Sequence, residues 1–497
     1  MKSWKLILSA GLLCWRPSLY AVPPKPPIEK HTLANGIRVL LYPRHSMPGV
    51  AFRIYYRVGS VDEEMGQTGL AHMFEHMAFK GTKTVNTKNY HKEKTVLNAI
   101  EDIAEKINKE QARPGGPDLK KLAKLQAELQ AKQAEAEQYE IKDEYEKIYE
   151  ANGAWGFNAF TSNDVTGYMV SLPSNRLDLW LAMESDRFQN AVLREFYRER
   201  NVVMEERRMR TESNPLGKLY ELFAANAFIV SPYRREVVGW MSDLERLTAT
   251  QAEWFFATRY VPSRCVISLV GDFDSKETLV NIRKYFESIP ARDGAVEFSG
   301  EEPPQQGERR VELMWEAEPI LLMGWHKPNA PHPDDTKLAL LSDILSSGRT
   351  SRFYRNLIEK QAVAQSVNAY HDDPGARYPN LFLVMGYPRS PHSALDLERA
   401  VEQEIEAIKQ KAPELWELER AKNNMEAMLV KILDNNEGIA DTITMNEILY
   451  GDWSYHWDVA TRWQAIKPEE LTEAAKKYLN RENKTVGFVT KKKGGNL

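Results

Sequence analysis

Hydrophobic and polar positions follow the same succession of periods twice along this chain. In the first half, apolar and polar residues alternate in "NGIRVLLYP" and "VAFRIYYRVG", which predicts two strands, and a helical segment follows them. "WGFNAFTS" and "TGYMVSLP" predict two more strands, joined by the turn-prone Asn163-Asp164. Helices around residues 176–228 and 242–257 and an apolar strand at "RCVISLVGD" complete this half. The predicted order is two strands, a helix, two strands, helices and a strand.

The second half repeats this order. "VELMWE" and "PILLMGW" predict strands, "DDTKLALLSDILSS" a helix, "AVAQSVNAY" and "NLFLVMGYP" strands, and long amphipathic helices precede the closing strand "TVGFVT". Between the halves lies "ARDGAVEFSGEEPPQQGERR", whose Gly, Pro and charge content is typical of a linker. We therefore predict an α+β fold of two homologous domains, residues 28–288 and 309–492, each with a mainly antiparallel sheet covered by helices and joined by a linker of residues 289–308.

One helical segment of the first half has no counterpart in the second. Leu97, Ile100, Ala104 and Ile107 recur at helical spacing, "RPGGPD" interrupts the pattern, and leucines at the same spacing resume after it among Lys, Gln and Glu. This pattern predicts a helical hairpin, at about residues 95–150, inserted in the first domain. We interpret the hairpin as a solvated spacer that has no role in catalysis.

Length and charge narrow the classes of function. A chain of 497 residues with 42% hydrophobic content is too long for one core, in agreement with two domains. A formal net charge of −4 with interspersed acids and bases argues against a nucleic-acid binder and against a polybasic membrane patch. Cys265 lies in an apolar strand, so we expect a small buried hydrophobe and not a reactive thiol.

The N-terminus has the composition of an export signal. A short basic segment, Met1–Lys5, precedes the apolar stretch Leu6–Trp15, and cleavage after Ala21 would remove a signal peptide of residues 1–21. The predicted location is therefore periplasmic or secreted. Such a short apolar stretch cannot span a bilayer, so no stable membrane insertion is expected. A disordered or core-docked N-terminus is the alternative.

Metal-binding chemistry is suggested by "GLAHMFEHMAFKGT", in which His72 and His76 are one helical turn apart. On a helix, His76 lies about 40° from His72 and Glu75 about 60° to the other side, so the three share one arc, whereas Phe74 points away. Two imidazoles in this arrangement can bind one Zn²⁺, and the carboxylate can reach a water molecule beside it. An ordinary helix that carries histidines is the alternative, and only a third ligand would decide between them.

A second helical segment, "FYRERNVVMEERRMR", offers candidates for that ligand. Glu199 and Glu206 lie on one face of the predicted helix, whereas Glu205 points away. The same face carries Val202 and Val203. Carboxylates on an apolar face are costly unless a metal ion or a hydrogen-bonding neighbour compensates. Taken alone, however, this segment is better explained as a solvated helix with arginine-paired glutamates.

Taken together, these motifs resemble a known family. "HMFEH" at residues 72–76, followed by "RERN" at residues 198–201 and by Glu206, resembles the signature of the pitrilysin or insulinase metallopeptidases, family M16. "NAFTS", "SGRTSRFYRNL" and the doubled domain are similar to the shorter members of that family (M16B), which are related to the mitochondrial processing peptidase. The interval between His76 and Glu206 exceeds the family pattern by about the length of the predicted hairpin.

The resemblance implies a zinc-dependent endopeptidase that hydrolyses internal bonds of short or unfolded peptides. His72, His76 and Glu206 would hold one zinc ion per chain. Glu75 would take a proton from water and pass it to the leaving amine, and Glu199 would orient a ligand. The alternatives are a catalytically weak scaffold and a peptide-binding subunit, and a zinc determination on purified protein separates both from the enzyme.

The resemblance also implies where substrates and partners bind. The family adds peptides to a sheet edge, and "WGFNAFTS" is similar to that edge strand, with Asn158 and Ala159 at positions that contact the peptide backbone. In the family's second domain, an Arg and a Tyr seven residues later contact the substrate and the oxyanion. Alignment on "RFYRNL" places Ile358 at the position of that Arg and Gln365 at the position of that Tyr. Neither side chain can replace a guanidinium or a phenol. We therefore expect a heterodimer in which a related subunit supplies the Arg and Tyr.

Overall fold

Two β-sheets form the framework of the protein. The computed structural model describes residues 22–491, so the predicted signal peptide, residues 1–21, lies outside the described residues. The strands of the first sheet are β1 (Glu29–Thr32), β2 (Arg38–Pro43), β3 (Gly49–Tyr56), β4 (Trp155–Thr161), β5 (Thr166–Pro173) and β6 (Cys265–Gly271). Those of the second sheet are β7 (Arg309–Met314), β8 (Leu321–Lys327), β9 (Ala364–Asp373), β10 (Asn380–Pro388) and β11 (Lys484–Thr490).

The two sheets have the same topology. The first has the order β1-β2-β6-β3-β5-β4 and the second the order β7-β11-β8-β10-β9. Without β1, the orders correspond strand by strand, and in both sheets one pair is parallel (β2 with β6, β7 with β11) while the others are antiparallel. The prediction of two α+β domains with mainly antiparallel sheets is confirmed, and β1 is an addition that the alternation pattern did not indicate.

Helices cover both sheets. In the first half they are α1 (Leu70–Met77), α2 (Tyr90–Gln111), α3 (Leu119–Ala136), α4 (Glu144–Ala151), α5 (Leu177–Asn190), α6 (Phe196–Arg207), α7 (Pro215–Ala227), α8 (Met241–Leu244), α9 (Ala249–Arg259) and α10 (Ser275–Phe286). In the second half they are α11 (Pro333–Ser346), α12 (Ala394–Gln410), α13 (Leu415–Ile432), α14 (Asn436–Tyr450), α15 (Tyr455–Ala465) and α16 (Pro468–Tyr478). Within residues 22–491, no helix combines the length and the apolarity that a membrane crossing requires.

Each half of the chain contributes one helix to the other half's sheet. Helix α14 packs on β3 and β6 of the first sheet, whereas α7 packs on β11 and β7 of the second. The α14 contact includes an ion pair between Arg53 and Asp441, whose carboxylate also accepts a hydrogen bond of 2.7 Å from Tyr55 Oη. This exchange of α7 and α14 makes the two sheets interdependent, because each needs the other half of the chain to cover its apolar surface.

The predicted linker lies between the two halves. Its residues 290–306 contain no helix or strand.

The predicted helical hairpin consists of α2 and α3, which pack on each other. Ile103, Ile107 and Leu125 form a small apolar cluster between the two helices. Val96 and Ile100, nearer the start of α2, belong instead to the core of the first domain. The hairpin is therefore solvated mainly along α3, whereas α2 is anchored in the domain that carries the candidate site.

Candidate metal centre

The helix that carries both histidines, α1, begins at a tightly constrained point. Gly69 precedes it with φ of +91°, and a Cβ atom there would lie 2.7 Å from the carbonyl oxygen of Val238. The buried Glu63 carboxylate accepts hydrogen bonds from the backbone N–H groups of Gly69 and Ala71, at 2.9 and 2.8 Å. Burial raises the pKa of Glu63 to about 8. These contacts satisfy free N–H groups at the helix start and fix its first turn.

The direction of the α1 side chains follows the phase predicted from the sequence. Phe74 is buried and stacks on Phe256 of α9, with ring centroids 4.4 Å apart. The opposite side of α1 faces α6, so that both imidazoles approach Glu206. On α6, Val203 is buried as predicted, but Val202 is 46% exposed, so the apolar part of that face is narrower than expected.

His72, His76 and Glu206 form the only group in residues 22–491 with three metal-binding side chains whose ligand atoms all lie within 4.8 Å. The Nε2 atoms of both histidines are 3.5 Å from Glu206 Oε2. Ligand atoms about 2.0–2.1 Å from a tetrahedral zinc ion are separated by about 3.3–3.4 Å, so the two nitrogen–oxygen distances match those around one shared ion. Two imidazole nitrogens and one carboxylate oxygen are also the donor set of known catalytic zinc sites. The residues present therefore fit zinc.

The protonation state of His72 suits a metal ligand. The residue is 5% exposed, and burial, with smaller contributions from His76 and Arg210, lowers the pKa of its imidazole to about 3. The imidazole is therefore neutral at physiological pH, and its Nε2 lone pair is free to bind a cation.

Glu199 contacts His76 from the side away from Glu206. Its Oε2 is 3.4 Å from His76 Nδ1, and its Oε1 is 2.6 Å from Lys80 Nζ. Burial alone would raise the pKa of Glu199, but hydrogen bonds from His76 and Lys80 outweigh this and lower it to about 2. An ionised carboxylate here favours the His76 tautomer that has a proton on Nδ1 and a free Nε2. Sequence reasoning did not single out Lys80, which follows the end of α1 at Met77.

The carboxylate of Glu75 lies beside the histidines and accepts a hydrogen bond of 2.6 Å from Thr161 Oγ1. Burial raises the pKa of Glu75 above its ordinary value, which makes the carboxylate a better proton acceptor. Thr161 was part of the "NAFTS" motif, but sequence reasoning gave it no role, because nothing in the sequence showed that the end of a strand meets α1.

Strand β4 lies at one edge of the first sheet and runs past α1. Asn158 and Ala159 pair with Met169 and Tyr168 of β5, and no other described strand pairs with the opposite side of β4. The backbone groups on that side are thus available to an added strand. The two predicted peptide-contacting residues consequently lie on a free sheet edge next to Glu75.

A cavity of about 350 Å³ opens beside Glu75 and His76. Most of its charged lining residues are acidic: Glu75, Glu140, Asp143, Glu146, Glu195 and Glu199. Lys80 is the one lysine or arginine among its lining residues, and both Glu195 and Glu199 bind its ammonium group. The segment that follows the helical hairpin thus contributes a negatively charged wall to the cleft at the metal centre.

The second domain does not bring a guanidinium or a phenol to the two aligned positions. Ile358 lies in a π-helical turn, residues 354–360, and packs against the core of that domain. Gln365 is exposed on β9. Ile358 therefore offers no hydrogen-bond donor, and Gln365 offers a neutral amide in place of a phenol.

The helical phase of α6 yields a prediction for two adjacent glutamates. Glu206→Gln should weaken zinc binding by about 10²-fold or more, because it replaces a charged ligand by a poor one. Glu205→Gln is the matched control and should be mild, since Glu205 is exposed and forms an ion pair with Arg208. Zinc affinity measured by competition with a chromophoric chelator compares the variants. Equal losses would show that Glu206 is not the third ligand.

Comparisons with known families match most of the chain. The model described as Insulinase (Peptidase family M16) matches residues 38–102 and 128–239, and the one described as Peptidase M16 inactive domain matches residues 246–425. The interruption, residues 103–127, falls within the helical hairpin. The family model therefore has no counterpart for the part of the hairpin from residue 103 to residue 127.

Individual relatives extend over nearly the whole chain. The zinc protease PqqE of Helicobacter pylori is 26% identical over 484 residues, which cover 95% of each chain. An uncharacterized zinc protease of Bacillus subtilis, YmxG, is 22% identical over 92% of this chain and 96% of its own. The crystal structure of a protease from Helicobacter pylori superimposes with a TM-score of 0.78 at 24% identity, covering 94% of this chain and all of that one. The periplasmic protease PqqL from Escherichia coli gives 0.69 at 18% identity, with 95% of this chain and 48% of that one covered.

Proposed function

This chain belongs to peptidase family M16, the insulinase family of zinc proteases, and we propose that it is an endopeptidase that hydrolyses internal bonds of short or unfolded peptides. The observation that carries the proposal is the meeting of three zinc ligands with Glu75 beside a free sheet edge. A peptide must be extended to add to β4, and a folded domain offers no free strand to that edge. Short and unfolded chains are therefore the substrates that the site favours.

The side chains around the metal centre have separate roles in this proposal. His72, His76 and Glu206 would hold a zinc ion, which would supply Lewis acidity for the activation of water and the polarisation of a peptide carbonyl. Glu75 accepts the proton of the attacking water and donates it to the leaving amine. Glu199 keeps His76 in the correct tautomer. Each of these steps uses a carboxylate or an imidazole that the fold already holds in place.

Strand β4 positions the substrate. Its free backbone groups at Asn158 and Ala159 would hydrogen-bond the main chain of the peptide and align it with the cleft. The negative wall of the neighbouring cavity would stabilise a basic side chain of the bound peptide.

We further propose that the chain acts as the metal-bearing subunit of a heterodimer. Ile358 and Gln365 leave the second domain without the Arg and Tyr that the family uses, so a related subunit would supply them. A catalytically weak scaffold or a peptide-binding subunit remains the second candidate, and it is favoured only by these same two residues.

Export to the periplasm or secretion completes the proposal. It is supported by the basic and apolar composition of residues 1–21. The relative from Escherichia coli is described as a periplasmic protease, which agrees with that location.

Metal removal tests the enzyme against the second candidate. Purified protein should contain about one zinc ion per chain and should cleave an internally quenched peptide. A chelator such as 1,10-phenanthroline should abolish cleavage, and added Zn²⁺ should restore it. Mass spectrometry of the products shows whether the cut bond is internal. Peptide binding without zinc and without cleavage, with or without a related subunit, would favour the scaffold.

A further inference from the structure

One side-chain contact joins the peptide-binding strand to the catalytic helix. Thr161 Oγ1, at the end of β4, donates a hydrogen bond of 2.6 Å to Glu75 Oε2 on α1. We propose that Thr161 is a positioning residue, which holds the Glu75 carboxylate in the orientation that the reaction needs. The inference rests on the proposed function, because it concerns the base of the same site.

The Glu75 side chain depends on this contact. In residues 22–491, Thr161 is the only residue that donates a hydrogen bond to the Glu75 carboxylate. Within the same residues, the Glu75 carboxylate forms no ion pair. A glutamate side chain has three rotatable bonds, so without a partner its carboxylate would sample several positions. Proton transfer requires the base within about 3 Å of the water that it deprotonates. One hydrogen bond therefore decides how often the carboxylate is in place.

Thr161 is itself held rigidly. Its β-branched side chain has few χ1 rotamers in a strand, and its backbone pairs with Thr166 of β5. On the same side of β4, Phe157 packs edge to face on Phe79, with ring centroids 5.3 Å apart. The strand therefore meets the catalytic helix and its continuation at two points, one apolar and one polar.

The turn after Thr161 is bound to the rest of the first domain. The backbone N–H groups of Ser60 and Val61 donate hydrogen bonds to the carbonyl oxygens of Ser162 and Asn163, at 3.3 and 3.0 Å. A Cβ atom at Gly59 would lie 2.3 Å from the Asn163 carbonyl oxygen, so the two segments are in close contact. This packing leaves the end of β4 little freedom to move away from α1.

The same turn is bound to the second domain through Asp164. Its carboxylate accepts hydrogen bonds from Tyr233 Oη at 2.8 Å and from the backbone N–H groups of Ala376 and Arg377 at 2.7 and 3.2 Å. The loop of the second domain thus supports the end of the strand that holds Glu75. Substrate docking and orientation of the base are set by one strand, which is fixed at its end by both domains.

Thr161→Val tests the inference, because it keeps the shape of the side chain and removes the hydroxyl. We expect kcat to fall about 10-fold or more with KM changed less than about 2-fold, since the peptide contacts remain while the base loses its position. Thr161→Ser, which retains the hydroxyl, should recover most of kcat. Zinc content should stay at about one ion per chain in both variants.

Thr166→Val is the matched control. It is the same substitution at the residue that pairs with Thr161, and its hydroxyl contacts Val58 and Tyr260, not Glu75. Its kcat should stay near that of the wild type even where its melting temperature falls. A Thr161→Val enzyme with wild-type kcat, a loss confined to KM, or a Thr161→Ser enzyme as weak as Thr161→Val would each overturn the proposal.

Crystal structures of the zinc-loaded wild type and Thr161→Val provide a readout besides activity. We expect a displaced or disordered Glu75 carboxylate in the variant, with the backbones of α1 and β4 unchanged. An unmoved carboxylate would overturn the positioning role, whether or not the protein is active. Absence of peptidase activity in the wild type, both alone and with a related subunit, would by contrast overturn the proposed function and leave the structural comparison valid.

Discussion

Glu75→Gln is expected to lower kcat by about 10³-fold while one zinc ion stays bound. The amide has nearly the shape of the carboxylate but cannot accept the proton of the attacking water. Because Glu75 lies beside the histidines and is not one of the three ligands, its loss should leave the zinc affinity nearly unchanged. Steady-state hydrolysis of a quenched peptide and zinc determination on the same preparation measure both quantities.

His76→Ala is the complementary variant. It removes one of the three ligands and should lose both zinc and turnover, with activity recovered poorly even at excess Zn²⁺. The pair therefore separates loss of the base from loss of the metal. A Glu75→Gln enzyme with full activity would refute the proposed mechanism, and retention of zinc in His76→Ala would refute the ligand assignment.

Addition of a related subunit that carries the Arg and Tyr is expected to raise turnover by about 10²–10³-fold. The three metal-binding side chains are present in this chain, but Ile358 offers no donor to a developing oxyanion, and Gln365 offers only a neutral amide in place of a phenol. Loss of one such donor commonly costs about 10²–10³-fold in turnover. Co-purification from the native source identifies the subunit, and titration of it into this chain measures the gain.

Two controls test the origin of that gain. Tyr→Phe in the added subunit should undo most of it, because the phenyl ring keeps the packing and removes the donor. A second copy of this chain should give no gain, since it brings the same Ile358 and Gln365. If this chain alone cleaves peptides at full rate and the added subunit changes nothing, another residue supplies the donor and the heterodimer proposal is wrong.

The sequence by itself determined the elements, their repetition and the local chemistry. Alternation of apolar and polar residues depends only on the strand period, so ten of the eleven strands in residues 22–491 could be predicted, including the order shared by both halves. The exception, β1, consists of the polar segment "EKHT", which has no apolar alternation. Helical phase likewise placed His72, Glu75 and His76 on one face of α1 and separated Glu206 from Glu205.

Only the tertiary structure decided which faces meet. Thr161 and Lys80 complete the site through Glu75 and Glu199, which are distant from them in the chain. Glu63 fixes the start of α1 from a position outside the quoted motif. A periodic pattern carries no information about such pairs. The exchange of α7 and α14 between the halves was equally hidden, because an amphipathic helix shows that it has an apolar face but not which sheet covers it. Local periodicity fixes the direction of side chains within an element, whereas contacts between elements depend on how the complete set of apolar surfaces is buried at once.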